Sequence, residues 1–344
     1  MSATETSRVR AWWQFLIAVL YFFFARSLAH HSAAGLAGGA WSPLVEQAML
    51  AFLLLMGYAA MGYWLNGQMD PISQQGLPLR QGWHIEIGMG LATGWGLAVV
   101  CVLLLTMGGG IAIAVYAGAS AWGWLVADVF FFAFVALVEE IAFRGYGFQR
   151  FVRAVGPLGA SLGFAAYYAM FQSVLPGSNR ASLFVSIALG LVLSAAYLRT
   201  RGLWLSWGLN FAWKASRALL FGLALSGVNS NSPVIQGNPM GPFWLTGGGF
   251  GLDGSWVTFF ILLAALPLVF RLTRELNFRY NTPVIVPGGI PVDLDAAARA
   301  QHEAAMGAAE PAPPALIQIG PATPSAPPTP PSKEPTQDPP SGPQ

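Results

Sequence analysis

Long apolar stretches recur along the chain, and they constrain the fold more than any single motif. They cover residues 11–29, 44–66, 84–107, 121–141, 157–176, 182–198, 203–225 and 255–271. A helix of about 20 residues crosses a bilayer's hydrocarbon core, and within that core a helix satisfies all of its own backbone groups. The sequence therefore predicts an all-α protein, a polytopic membrane bundle of about eight transmembrane helices. Charge content agrees: 9% of the 344 residues are charged and the mean hydropathy is +0.54, whereas soluble domains carry about 25% charged residues. The first stretch, Trp12 to Phe24, is followed by Arg26 and by the further stretches. It reads as a retained helix and not as a cleaved signal peptide.

Arginine placement predicts the orientation, because cytoplasmic loops favour Lys and Arg. With the N-terminus inside, the inner segments hold Arg8, Arg10, Arg80, Arg144, Arg150, Arg153, Arg199, Arg201, Arg271, Arg274 and Arg279, and the outer segments hold Arg26 and Arg180. Both termini are thus expected in the cytoplasm of a multi-pass protein of the cell (inner) membrane. The expected organisation is three N-terminal helices over residues 1–120, a five-helix core over 121–275, and a Pro- and Ala-rich cytoplasmic tail over 276–344. From Pro311 onward, 13 of 34 residues are proline, a composition that does not build a core and reads as disordered. The short apolar run after Gly108–Gly110 reads as an outer loop or re-entrant piece. Residues 226–254, rich in Gly, Asn and Pro, read as a long outer loop with some packed structure.

Composition also narrows the chemistry. Seventeen basic and 15 acidic residues give a net charge of +2 without a dense basic patch, so nucleic acid is not an expected partner. Cys101 is the single cysteine. It excludes an intramolecular disulfide and leaves no thiolate cluster for a metal.

Charges at membrane depth are costly and mark functional candidates. Here they are Glu46, Glu86, Asp128, Glu139, Glu140, Lys214 and Arg217. Glu46 and Glu86 lie near stretch ends, where water and headgroups reach. Asp128 lies 11 residues before Glu139, about 16 Å along a helix axis, and is expected to make a separate polar contact. In VEEIAFRGYGFQRF, Arg144 follows Glu140 by four residues, one turn away on the same face. That pair reads as structural and leaves Glu139 to face an interior cavity. In LWLSWGLNFAWKASRALL, the residues Asn210, Lys214 and Arg217 stand at i, i+4 and i+7, a polar stripe on an apolar helix. The stripe has to face protein or water. Counted from the inner loops, Glu139 and Asn210 share a depth of roughly 8 to 12 Å at 1.5 Å per residue, so the glutamate pair is the nearest opposite charge.

The run Glu139, Glu140, three residues, Arg144 resembles the EExxxR motif of the CPBP family of intramembrane proteases, which includes the type II CAAX prenyl endopeptidases and bacteriocin-immunity proteins. The turn Arg199-Thr200-Arg201-Gly202 before LWLSWGLNFAW, and the late segment LTGGGFGLDGSW, are similar to further family features. The resemblance covers about residues 121–256. It implies that Glu139 activates water, with Glu140 and Arg144 completing the motif. No cofactor is expected, and two carboxylates and an amide make a poor zinc set. The implied substrate is a membrane-embedded or lipidated peptide or protein at the lipid bilayer.

The family's FxxxH and HxxxN motifs are altered. Phe164 is followed by Tyr168 where the family has histidine, and Asn210 and Lys214 stand where it has histidine and asparagine. A phenol donates a hydrogen bond but accepts a proton poorly near neutral pH. Asn210 retains the ability to donate to an oxyanion, so loss of the usual histidine there is expected to cost about 10²- to 10³-fold. An ammonium at Lys214 paired with Glu139 would weaken that carboxylate as a base. The expectation is a membrane endopeptidase scaffold with impaired activity. The alternatives are a non-catalytic pseudoprotease acting by binding or immunity, and a small transporter using the Glu and Lys stripe as a relay.

Overall fold

The computed structural model describes residues 3–116, 118–228 and 233–276, and the tail beyond lies outside the described residues. The long helices are α1 (Ala3–Leu36), α2 (Ser42–Asn66), α4 (Trp83–Gly108), α5 (Ala119–Arg144), α6 (Tyr146–Ser173), α7 (Arg180–Thr200), α8 (Leu203–Ala215) and α10 (Trp256–Leu272). Two single-turn helices, α3 (Pro71–Gln74) and α9 (Phe243–Thr246), lie in connections.

Five helical segments are long and apolar enough to cross a membrane: Ser7–Leu36, Gly39–Asn66, Trp83–Gly108, Ala119–Ser173 and Arg180–Thr200. The fourth runs through both α5 and α6. Within α6 the backbone leaves helical geometry at Gly156 (φ 85°, ψ 166°), just before Pro157. Glycine adopts that positive φ without steric cost, and the proline ring prevents a continuous hydrogen-bond ladder across the break. The remaining two apolar stretches form shorter helices. α8 ends in a π-helical turn over Ser216–Leu220, and α10 has 17 residues.

Local chemistry sets several ends. Asn179 and Ser182 form a reciprocal capping box at the start of α7, each side-chain oxygen 3.0 Å from the other's backbone nitrogen. Ser255 Oγ accepts from Val257 N at the start of α10. The α2 helix closes on Gly67, whose φ of 63° favours glycine.

The bundle has two large apolar cores and a smaller one, in which Phe132 of α5 meets Ala215, Ala218 and Leu219 at the end of α8. Of the large cores, one is built by α4, α7, α8 and α10 from residues such as Leu97, Leu105, Leu189, Leu209, Trp213 and Leu262. The other joins α1, α2, α5 and α6 through Leu50, Leu54, Tyr58, Ile141 and Phe148. The closest helix pair is α4 and α8. A Cβ at Gly90 would lie 2.2 Å from the Leu205 carbonyl oxygen, one at Gly94 2.3 Å from that of Leu209, and one at Gly208 2.5 Å from that of Ile87. Small residues on both helices therefore bring the backbones into contact and fix the axial position of α8. The seam between the two large cores, where α5 meets α8, holds the charged residues.

The run after Gly110 is a strand, β1 (Ile111–Val115), paired antiparallel with β2 (Ile235–Pro239), with Ile111 opposite Pro239 and Val115 opposite Ile235. Alternation of Ile, Ala and Val suits a strand, but its partner lies more than 100 residues away, beyond the reach of a local reading. This ribbon, α9 and the turns over Gly248–Gly254 give packed structure to the described part of residues 226–254.

Candidate functional site

The turn before the last of α5 presents two successive carboxylates, and α8 answers with an amide and an ammonium one turn apart. Asn210 Nδ2 lies 2.9 Å from Glu139 Oε2 and 3.1 Å from Glu140 Oε1. Lys214 Nζ is bonded to the other oxygen of Glu139. Both oxygens of Glu139 are thus engaged from α8. Successive residues on a helix point about 100° apart, which predicts separate tasks for the two glutamates. They nevertheless converge on one nitrogen, because Asn210 sits in the seam between their directions.

Glu140 is fully buried. Its Oε1 also accepts from Arg144 Nη1 at 2.9 Å, one turn on, so the expected i, i+4 pair is present. Arg144 Nη2 reaches the Gly190 carbonyl on α7 at 3.5 Å. Ser206, one turn before Asn210, adjoins Glu140. Glu140 Oε2 and Asn210 Oδ1 are buried without a hydrogen-bond partner among the described residues.

Tyr168 on α6 stands at the edge of the cluster, with its ring 5.4 Å from that of Phe143 and its phenol close enough to interact with both Glu139 and Lys214. Its oxygen accepts from Gln172 Nε2 at 3.3 Å. Glu139, Tyr168, Asn210 and Lys214 therefore share one locus, contributed by α5, α6 and α8. None of them lines the cavity beside Asp128, the one between Phe15, Tyr58 and Phe164, or the one beside Arg153 and Arg199. Glu139 keeps 22% of its side-chain surface exposed and Lys214 14%. Where the sequence suggests that Glu139 faces an interior cavity, its carboxylate meets the Lys214 ammonium.

Arg217 departs from the expected stripe. Its Nη1 donates to Asp253 Oδ1 at 2.6 Å, its Nε donates to the Trp213 carbonyl at 3.0 Å, and its guanidinium lies 4.1 Å above the Trp213 ring. Two turns beyond Asn210, it has risen about 10 Å past the glutamates and meets the Gly248–Gly254 turns instead. Asp253 also accepts from the Ser226 amide and hydroxyl at 3.2 and 3.1 Å, and Ser226 Oγ accepts from Gln172 Nε2 at 3.2 Å. A continuous polar path runs Tyr168, Gln172, Ser226, Asp253, Arg217. Sequence reasoning missed Asp253. The signal was the single acid in LTGGGFGLDGSW, whose Gly251 (φ 75°) and Gly247 (φ 72°) hold the turns that present it.

The other charges separate from this cluster. Asp128 lines a cavity of about 380 Å³ with Trp41, Trp124 and Phe132, at the opposite end of α5. Glu46 is held by His30 at 3.0 Å. Glu86 corrects an expectation: although in the first turn of α4, it is fully buried and bonds Arg80 through both oxygens, at 3.0 and 2.9 Å. Arg80 also donates to the Thr200 carbonyl at 2.6 Å, so the pair clamps α4 to the end of α7, with Glu86 buried and Arg80 partly exposed.

Residues 120–216 match the family model described as type II CAAX prenyl endopeptidase Rce1-like. No curated protein and no solved structure matches the chain. The match begins with α5 and ends just past Lys214, so every residue of the Glu139 cluster lies inside it. The helices that gather these residues form an Rce1-like segment, consistent with the CPBP family of intramembrane proteases.

Proposed function

We propose that this integral membrane protein uses a CAAX-protease-type scaffold to bind a membrane-embedded or lipidated peptide without cutting it efficiently. The observation that carries this reading is the engagement of both Glu139 oxygens by Asn210 and Lys214. A general base has to reach its water within hydrogen-bond distance. Here the ammonium takes the place of that water, and the position implied for a histidine holds Tyr168, a poor proton acceptor. Glu140 is a poor substitute base, its Oε1 being taken by Arg144 and Asn210 and its whole side chain buried away from water.

Residual hydrolysis is the second reading. It is favoured by the partial exposure of Glu139, against complete burial of Glu140. In both readings the chain has eight spans with both termini cytoplasmic in the cell (inner) membrane, a reading supported by the arginine distribution. The test is a library of membrane-anchored peptides incubated with the purified full chain, with products read by mass spectrometry. Identical product spectra for the native protein and Glu139→Ala are expected. A product that appears only when Glu139 is present overturns the proposal in favour of a slow protease. Photocrosslinking of the same peptides to the native chain is expected to label α5, α6 or α8.

A further inference from the structure

A second site lies at the arginine-rich end of the bundle, away from Glu139. It is a cavity of about 990 Å³ between α6, α7 and α10, and Arg153, Arg199 and Arg201 stand among its lining. Among the described residues, no carboxylate lines it. Arg199 is held in place, its Nε 2.7 Å from Thr273 Oγ1 and its guanidinium 4.9 Å from the Phe270 ring centroid. Arg201 sits at φ 49°, in the left-handed region that helix ends normally give to glycine. A long cationic side chain therefore occupies a backbone position that carries a steric cost.

The walls are apolar, and each helix contributes residues from one face: Leu158 and Leu162, one turn apart, from α6, Leu191 and Leu198, two turns apart, from α7, and Leu266 and Phe270, one turn apart, from α10. Leu158, Leu162 and Phe270 are exposed, so the cavity opens toward the lipid side of the bundle. From Leu191 to Arg201 the chain rises about 15 Å, which is the depth of one leaflet of a ~30 Å hydrocarbon core. The break at Gly156 sets the arginine-bearing first part of α6 apart from the Leu158–Leu162 wall.

We infer that this cavity binds an anionic phospholipid, its phosphodiester between Arg153, Arg199 and Arg201 and an acyl chain along the Leu191–Leu198 face. Guanidinium groups match phosphate oxygens in geometry and charge, and basic pockets between membrane helices suit anionic headgroups. The apolar stem is what separates this occupant from free phosphate.

The test uses the full chain in a neutral detergent, titrated with phosphatidylglycerol or with phosphatidylcholine of the same acyl chains. Binding is read by native mass spectrometry and by thermal shift. One phosphatidylglycerol per chain is expected, held at least tenfold more tightly than phosphatidylcholine. Arg153→Gln, a change at an exposed side chain, is expected to weaken phosphatidylglycerol about fivefold, and Arg153→Gln/Arg201→Gln more, at roughly fivefold per arginine. Phosphatidylcholine binding is expected to stay unchanged, and inorganic phosphate and glycerol 3-phosphate to give no shift at the same concentrations. Equal retention of the two lipids, an unchanged preference in Arg153→Gln, or an equal shift from inorganic phosphate would overturn the assignment. So would a lipid-independent dimer broken by Leu162→Arg, which would make the face a contact between copies.

Discussion

Asn210 is the residue on which the charged seam depends. One amide nitrogen satisfies Glu139 and Glu140 together, while Lys214 and Arg144 each supply one positive charge to one of them. The four charges sum to zero in a place where an unpaired charge is costly. Removing one member of a buried pair costs about 3–5 kcal/mol, and removing both costs much less. Glu139 and Lys214 retain some exposure, so about 2–3 kcal/mol is expected for Glu139→Gln or Lys214→Met alone. The double variant is expected to fall well short of the sum. Thermal unfolding of the four proteins in detergent checks this, and strictly additive losses would show that the two side chains do not couple. The site was legible in the sequence where a pair lay at matching depth, as with Glu139 and Lys214. Arg217 was misplaced because its partner Asp253 comes from a glycine-rich turn with no periodicity to read. Glu86 was misplaced because depth along one helix does not reveal that the end of α7 covers it.

The elements hold this geometry through the contact of α4 with α8. Gly90 and Gly94 face the α8 backbone at distances that leave no room for a side chain, whereas Gly88 and Gly96 on the same helix face open space. Gly94→Ala and Gly90→Ala are therefore expected to be destabilising, by about 1–3 kcal/mol as overpacking. Gly88→Ala and Gly96→Ala are expected to be neutral or stabilising by up to about 1 kcal/mol, through helix propensity. Thermal unfolding of the four variants separates the two outcomes, and equal effects at all four positions would remove the close-approach argument. Helix positions were readable because long apolar runs leave few alternatives. The β1–β2 ribbon was not, because its pairing is a long-range property and β1 alone is five residues of modest β-propensity.

At the scale of the molecule, the arginine-bearing turns and the lipid cavity lie at one end of the bundle, and the ribbon and Gly-rich turns belong to connections at the other helix ends. The eight-span orientation proposed from the arginine distribution predicts which of two single cysteines a membrane-impermeant reagent reaches in intact cells. On a Cys101→Ala background, Gly38→Cys, between α1 and α2, is expected to label from outside. Asp70→Cys, in the next connection, is expected to label only after permeabilisation. The reverse pattern would invert the topology and place the arginine-rich cavity on the outer leaflet.

We propose that the residues at 168, 210 and 214 hold the scaffold of a membrane endopeptidase inactive, and this inactivation is open to experiment. It is tested most directly by rebuilding the resembled motifs with Tyr168→His, Asn210→His and Lys214→Asn together, and measuring peptide cleavage beside the native chain, each with and without Glu139→Ala. No Glu139-dependent product is expected from the native chain, and a Glu139-dependent product is expected from the rebuilt one. Glu139-dependent cleavage by the native chain at a rate comparable to the rebuilt protein would contradict it.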